Sequence, residues 1–166
     1  MRQIPSDAPP VHPLMRVPVP WVFVMAYLAG AGLQILLPVR AASPAAMLLF
    51  RLGGIALIAI GTVLAAWCLL IFREQSTTTV PFGASSSLVT WGPYRLSRNP
   101  MYVSLTLVYL GEASLLLHFW PIVTLVPMIG YLHWVVIPYE ESRMLEAFGT
   151  PYEEYRARVG RWIGPW

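Results

Sequence analysis

The sequence predicts an all-α integral membrane protein with about four transmembrane helices, five at most, and amphipathic carboxyl-terminal helices on the membrane surface. Composition is the first ground: 57% of the 166 residues are hydrophobic and only 11% are charged, against roughly a quarter charged in a soluble domain. So much Leu, Val, Ile and aromatic content also excludes disorder, because the chain has ample apolar surface to bury. Length is the second ground. At ~20 residues per span plus connections, the helices leave no room for a separate soluble catalytic domain. The third ground is the spacing of the apolar stretches.

Residues 1–18 read as a proline-rich arm, since Pro5, Pro9, Pro10, Pro13 and Pro18 interrupt any helix there. A single membrane domain fills 19–166. Its first span covers about 19–38 and stops at Pro38. Arg16 before an apolar stretch imitates a signal peptide, but the stretch is longer than the ~7–15 residues of such a core, so it reads as an uncleaved span. The second span covers about 45–72, with Gly54, Gly61 and Ala65 offering small surfaces for close packing. A polar connection follows, Ser/Thr-rich from Ser76 to Ser87. The third and fourth spans, about 100–118 and 121–139, lie so close together that they form a tight antiparallel hairpin. Residues 140–161 are a pair of surface helices: Leu145, Phe148, Tyr152, Tyr155 and Val159, at offsets 0, 3, 7, 10 and 14, make one apolar face. Gly149 reads as a helix stop, and Thr150, Pro151 and Glu153 as N-cap, N1 and N3 of a new helix with a capping box.

Charge then orients the chain. All eleven basic residues are Arg. Four spans put nine of them on the side that holds both termini and the long connection, leaving Arg40 and the intramembrane Arg51 elsewhere. By the positive-inside rule that side is cytoplasmic. The expected location is therefore a bacterial-type inner or plasma membrane, with both termini and any chemistry facing the cytoplasm. The net charge of +3 is small and scattered, with no Arg run to track a phosphate backbone, so nucleic acid is not an expected partner. Cys68, the single cysteine, reads as a packed thiol. No metal site is expected. Arg51 and Glu112 lie at matching depths in the second and third spans, and pairing would relieve the cost of burying each; a buried or semi-buried ion pair or hydrogen bond between them is expected.

The most informative stretch runs from Trp91 to Tyr102. Gly92-Pro93 makes a turn, Asn99 caps the third span, and Pro100 stands at N1, where its missing N–H costs nothing. Capping alone leaves Tyr94, Arg98 and Tyr102 around that helix start unexplained. Free N–H groups beside guanidinium groups suit a carboxylate or phosphate. Glu140 and Glu141 follow the fourth span on the same side, so the hairpin brings them near Asn99–Tyr102. They suit a cationic or hydroxyl-bearing ligand, or else complement the dipole of the following helix. His133, less than two turns before Glu140, is either a hydrogen-bonded packing residue or a general base.

These residues together resemble the isoprenylcysteine carboxyl methyltransferase and phospholipid methyltransferase superfamily. The resemblance rests on Leu88-Val89-Thr90-x-Gly92-Pro93-Tyr94, then Arg98-Asn99-Pro100-Met101-Tyr102, a two-span hairpin, and Glu140-Glu141 with Leu145, Phe148-Gly149, Tyr152, Tyr155, Val159 and Arg161-Trp162. It covers roughly residues 73–163. It implies an integral-membrane enzyme that uses S-adenosylmethionine without a Rossmann-type domain, and no glycine-rich dinucleotide loop is present here. By position it implies cofactor contacts at Ser86, Ser87, Leu88, Val89, Tyr94, Asn99, Pro100, Met101, Tyr102 and the Glu140-Glu141 pair. Two departures stand out. Asn99 replaces a His common in relatives, and Val135, Val136 and Ile137 stand where eukaryotic members place an Arg for the substrate carboxylate.

The expected chemistry is in-line methyl transfer in a water-poor site. The Glu pair, with His133 as a further catalytic candidate, would hold the cofactor ammonium or ribose; the cap and Arg98 would hold its carboxylate. The acceptor would be lipophilic and enter from the bilayer lipids: an isoprenylcysteine-like carboxylate, a phospholipid amine or a small thiol. The competing reading is a non-enzymatic membrane assembly or scaffold module that keeps the same fold.

Overall fold

A computed structural model describes residues 18–39, 43–74 and 87–164; the proline-rich arm, Arg40 and Ser86 lie outside the described residues. Every regular element among them is helical. In order these are α1 (Val19–Leu36), α2 (Pro44–Glu74), a 3₁₀ turn (Gly92–Arg95), α3 (Pro100–Leu115), α4 (Phe119–Tyr131), a π-turn (Leu132–Val136), α5 (Ile137–Phe148) and α6 (Thr150–Arg158).

Among the described residues three helices are long and apolar enough to cross a membrane: α1, α2 and the run Phe119–Phe148 that joins α4, the π-turn and α5. At 16 residues, α3 is shorter, but it lies antiparallel against α2 along its length. Gly54 and Gly61 make this approach possible, as the small-residue spacing predicts. A Cβ on Gly54 would stand 2.6 Å from the Gly111 carbonyl oxygen, and one on Gly61 would stand 2.8 Å from that of Ser104. Without a water-driven attraction between helices inside lipid, backbone contact of this kind supplies much of the packing energy. On its other side α3 meets the α1–α4 pair, and this junction is polar. The Tyr109 hydroxyl donates to the Pro121 carbonyl at 2.9 Å, and the Thr124 hydroxyl donates across to the Ala26 carbonyl at 2.9 Å.

The expected Arg51–Glu112 ion pair is absent: neither residue is in either of the ion pairs of the described residues, and both are exposed. Their depths do match, because Gly54 packs on Gly111. At about 100° per residue, however, both side chains leave the helices off the line of glycine contact. Glu112 comes near the Tyr27 phenol instead.

The fourth span does not stop before Glu140. The Ile137 N–H reaches back to the Leu132 carbonyl, one residue further than in an α-helix. This wider turn lets Pro138, which has no N–H and whose ring crowds the preceding turn, pass without a break. The helix ends at Gly149, whose φ of +57° is a conformation that glycine adopts without strain. There α6 begins on the Gly149 carbonyl, which accepts the Tyr152 and Glu153 N–H groups at 3.0 and 3.2 Å. Thr150 makes no side-chain cap. The expected capping box does not form because the glycine carbonyl already serves those donors.

The core has two parts. One lies inside the bundle and includes Phe23, Tyr102, Tyr109, Leu132 and Ile137. The other caps the α2 carboxyl end: Cys68, Ile71, Val89, Tyr94, Tyr152 and Tyr155, with Leu145, Phe148 and Val159 against them. All five residues of the predicted apolar face pack into this second part, so the carboxyl-terminal helices cover the connection before α3.

Candidate functional site

The site is assembled where the connection enters α3. Ser87 and Leu88 are half-buried and Val89 is buried, with Leu88 and Val89 part of the capping core. Tyr94 is buried in the 3₁₀ turn, its ring edge-on to Phe72 at 5.7 Å and its phenol against the Cys68 thiol. Burial first, and then the neighbouring thiol and phenol, push the Tyr94 phenol far above its ordinary range, so it is a neutral hydrogen-bonding group. Its carbonyl accepts the Tyr155 hydroxyl at 2.7 Å, which fixes α6 over the turn.

The helix start is built differently from the predicted cap. Asn99 makes no side-chain cap to α3; its carbonyl accepts the Tyr102 and Val103 N–H groups, and its side-chain amide donates to the Arg161 carbonyl at 3.0 Å. The Ser97 hydroxyl donates to that same carbonyl at 3.1 Å and accepts the Asn99 N–H at 3.0 Å. Backbone bonds complete the seam, from the Arg98 N–H to the Gly160 carbonyl at 2.8 Å and from the Gly164 N–H to the Leu96 carbonyl at 3.2 Å. The segment after α6 is thus a strap bound to the four residues before α3. Asn99 works as its anchor, because its amide points across the seam and away from the helix axis.

Two groupings of opposite character flank Pro100, Met101 and Tyr102. In the first, the Tyr102 hydroxyl donates to Glu140 Oε1 at 2.6 Å, joining the first turn of α3 to the first turn of α5. The second centres on Glu141. Arg161 grips it with two bonds, Nε to Oε1 at 2.9 Å and Nη2 to Oε2 at 2.7 Å, the forked geometry in which guanidinium and carboxylate match best. This bonding holds the Arg161 guanidinium even more firmly in its charged form. Arg98 reaches the same carboxylate from the other side, Nη1 standing 2.7 Å from Oε1. That is a close ion contact, yet its N–H is not aimed along it, and Nε has no hydrogen-bond partner among the described residues. The Arg98 side chain is only 9% exposed and that of Glu141 10%. The Tyr152 phenol lies against Arg98.

His133 belongs with the strap and not with Glu140. Its Nδ1 accepts the Trp162 indole N–H at 3.1 Å. This bond ties the imidazole to the strap. The π-turn also explains what its backbone does. With the Ile137 N–H directed to Leu132 and no N–H on Pro138, the His133 carbonyl turns to Arg161 Nη1, 3.5 Å away.

A family model described as phospholipid methyltransferase matches residues 49–151, more than half of the chain. The chain belongs to the phospholipid methyltransferase family. Family membership makes it an integral-membrane methyltransferase that works on lipid. The match starts one turn before Gly54 in α2 and ends in the first turn of α6, so α1 and the strap lie outside it. No curated protein and no solved structure matches the chain.

Within the matched segment, then, the structure brings Tyr94, Arg98, Asn99, Pro100, Met101, Tyr102, Glu140 and Glu141 to one end of the bundle. The two acids separate there: Glu140 faces Tyr102, and Glu141 is enclosed between arginines. Ser97, Tyr152 and Arg161 are the partners that sequence reasoning gave no role. Arg161 and Tyr152 stood inside the recognised pattern, but nothing in their spacing reveals a contact with residues some sixty positions earlier.

Proposed function

We propose that this end of the bundle binds S-adenosylmethionine and delivers its methyl group to a phospholipid headgroup. The supporting observation is the division of charge across the start of α3. Glu140 offers a carboxylate oxygen beyond the one bonded to Tyr102, and Arg98 offers buried N–H groups without an acceptor. One carboxyl and one guanidinium group across a helix N-terminus match the ammonium and carboxylate of an α-amino acid. A buried guanidinium that shares its one carboxylate with a second arginine, and keeps N–H groups unmet, is costly unless a further anion meets it, so the residues present fit the amino-acid end of this cofactor.

The cofactor supplies an electrophilic methyl on a sulfonium. The chain supplies position and dryness. Glu140, fixed by Tyr102, holds the ammonium; Arg98 holds the carboxylate; Tyr94, Val89 and α6 exclude water. Glu141, with both oxygens taken by arginines, holds the site together and does not touch the ligand. The acceptor enters from the bilayer, and the apolar Val135, Val136 and Ile137 favour a phospholipid amine over a prenylcysteine carboxylate. The arginine-rich end lies on the cytoplasmic side.

Calorimetry on the purified chain in detergent should detect S-adenosylmethionine binding that the combined Tyr102→Ala and Glu140→Ala substitutions remove. No binding by the wild type, or undiminished binding by the double variant, would overturn the proposal. Radiolabelled methyl should then appear in the phospholipid fraction and not in protein or volatile thioethers.

A further inference from the structure

Two arginines and one carboxylate meet beside α3, and they share it unequally. Arg161 takes both oxygens of Glu141 with aimed N–H groups at 2.9 and 2.7 Å, whereas Arg98 has one ion contact and a buried Nε with no acceptor. The grouping therefore carries one positive charge more than it neutralises, and the surplus falls on the more deeply buried guanidinium: the Arg98 side chain is 9% exposed and that of Arg161 27%. Glu140 does not cancel this surplus at close range, since its hydrogen bond ties it to Tyr102. What holds Arg161 in place is the strap. Its carbonyl receives Ser97 and Asn99, its Nη1 approaches the His133 carbonyl, and the next residue, Trp162, is bonded to His133.

We infer that Arg161, which lies outside the family match, is a positioning residue: by occupying Glu141 it keeps Arg98 free to bind the carboxylate of the ligand. The inference rests on the cofactor proposal above and adds the origin of carboxylate selectivity. If Arg161 loses its fork, Glu141 is free to turn to Arg98, whose Nε and Nη groups it then satisfies as a matched pair. Arg98 remains in place and the strap keeps its backbone bonds, but the cationic half of the site becomes neutral.

The test compares binding of S-adenosylmethionine with that of its decarboxylated analogue, which keeps the sulfonium, nucleoside and amine. The wild type should prefer the carboxylated ligand. Arg161→Gln should weaken that ligand by about tenfold while leaving the analogue within about twofold. Arg161→Lys, which keeps the charge but not the forked geometry, should recover part of the lost preference. Arg158→Gln removes a neighbouring exposed positive charge that bonds only to the Glu154 carbonyl, and it should leave the preference unchanged. Equal weakening of both ligands in Arg161→Gln would mean a merely structural strap and would overturn the inference, as would an unaltered preference in both Arg161 variants. A wild type that binds neither ligand defeats the cofactor proposal itself; a wild type that binds both equally defeats only this inference.

Discussion

At the hairpin end of the bundle Gln34 joins α1 to α4, whereas at the opposite end Glu141 joins α3, α5 and the strap. The Gln34 side chain accepts the Phe119 and Trp120 N–H groups at 3.1 and 3.5 Å and donates to the Val39 carbonyl at 2.8 Å. Trp120 returns a bond from its indole to the Leu37 carbonyl at 2.7 Å. These are neutral groups that close orphaned backbone groups at two helix ends. Around Glu141 the groups are charged, buried and unequal in number. The hairpin end also has buried atoms without partners, the Tyr27 hydroxyl and His118 Nδ1. A water molecule can satisfy such atoms, but it cannot neutralise a guanidinium. Hydrogen bonding alone thus does not distinguish the two ends; surplus charge does.

The comparison breaks most visibly at Glu141. Glu141→Gln leaves Arg98 and Arg161 without their shared carboxylate and should destabilise the chain by about 3 kcal/mol, read as a lower unfolding temperature in detergent. An unchanged temperature would mean the arginines are not held by this charge. Glu140→Gln should separate function from stability at the same end. The amide oxygen still accepts the Tyr102 hydroxyl, so unfolding should stay near that of the wild type while methyl transfer falls about a hundredfold. At the hairpin end the pattern should reverse. Gln34→Ala removes a cap worth about 1 kcal/mol, and methyl transfer by the folded fraction should persist; a large loss of activity there would contradict the division between the two ends. The smallest effect belongs to Thr150→Ala. The Gly149 carbonyl starts α6, so stability should change by less than about 0.5 kcal/mol.

Much of the fold was legible because lipid imposes simple rules. Apolar length marks α1, α2 and the fourth span, and small residues at Gly54 and Gly61 mark a surface for close packing without naming its partner, which the structure shows to be α3. The face from Leu145 to Val159 was legible for the same reason, as helical periodicity survives wherever one side is buried. The error at Glu140 has a local cause: a run of polar residues after Pro138 imitates a helix end, while the π-turn that absorbs the proline leaves no mark in composition. Arg51 and Glu112 were misread because depth along a helix follows from residue count, whereas direction around it depends on the partner helix. Asn99 does stand at the N-cap of α3 with Pro100 at N1, but composition gives no sign that its side chain turns away from the helix to a partner 62 positions later.

The sequence by itself determined the class, the apolar helices, the small residues available for close packing and the set of polar residues near the start of α3. These follow from local composition and periodicity in a solvent that offers no hydrogen bonds. Only the tertiary structure decided how the charges divide. Glu140 and Glu141 are adjacent and chemically alike, but successive residues on a helix point about 100° apart. One therefore meets Tyr102 and the other meets Arg98 and Arg161, and the contrast between the two carboxylates arises from that rotation and from the strap that folds back across it.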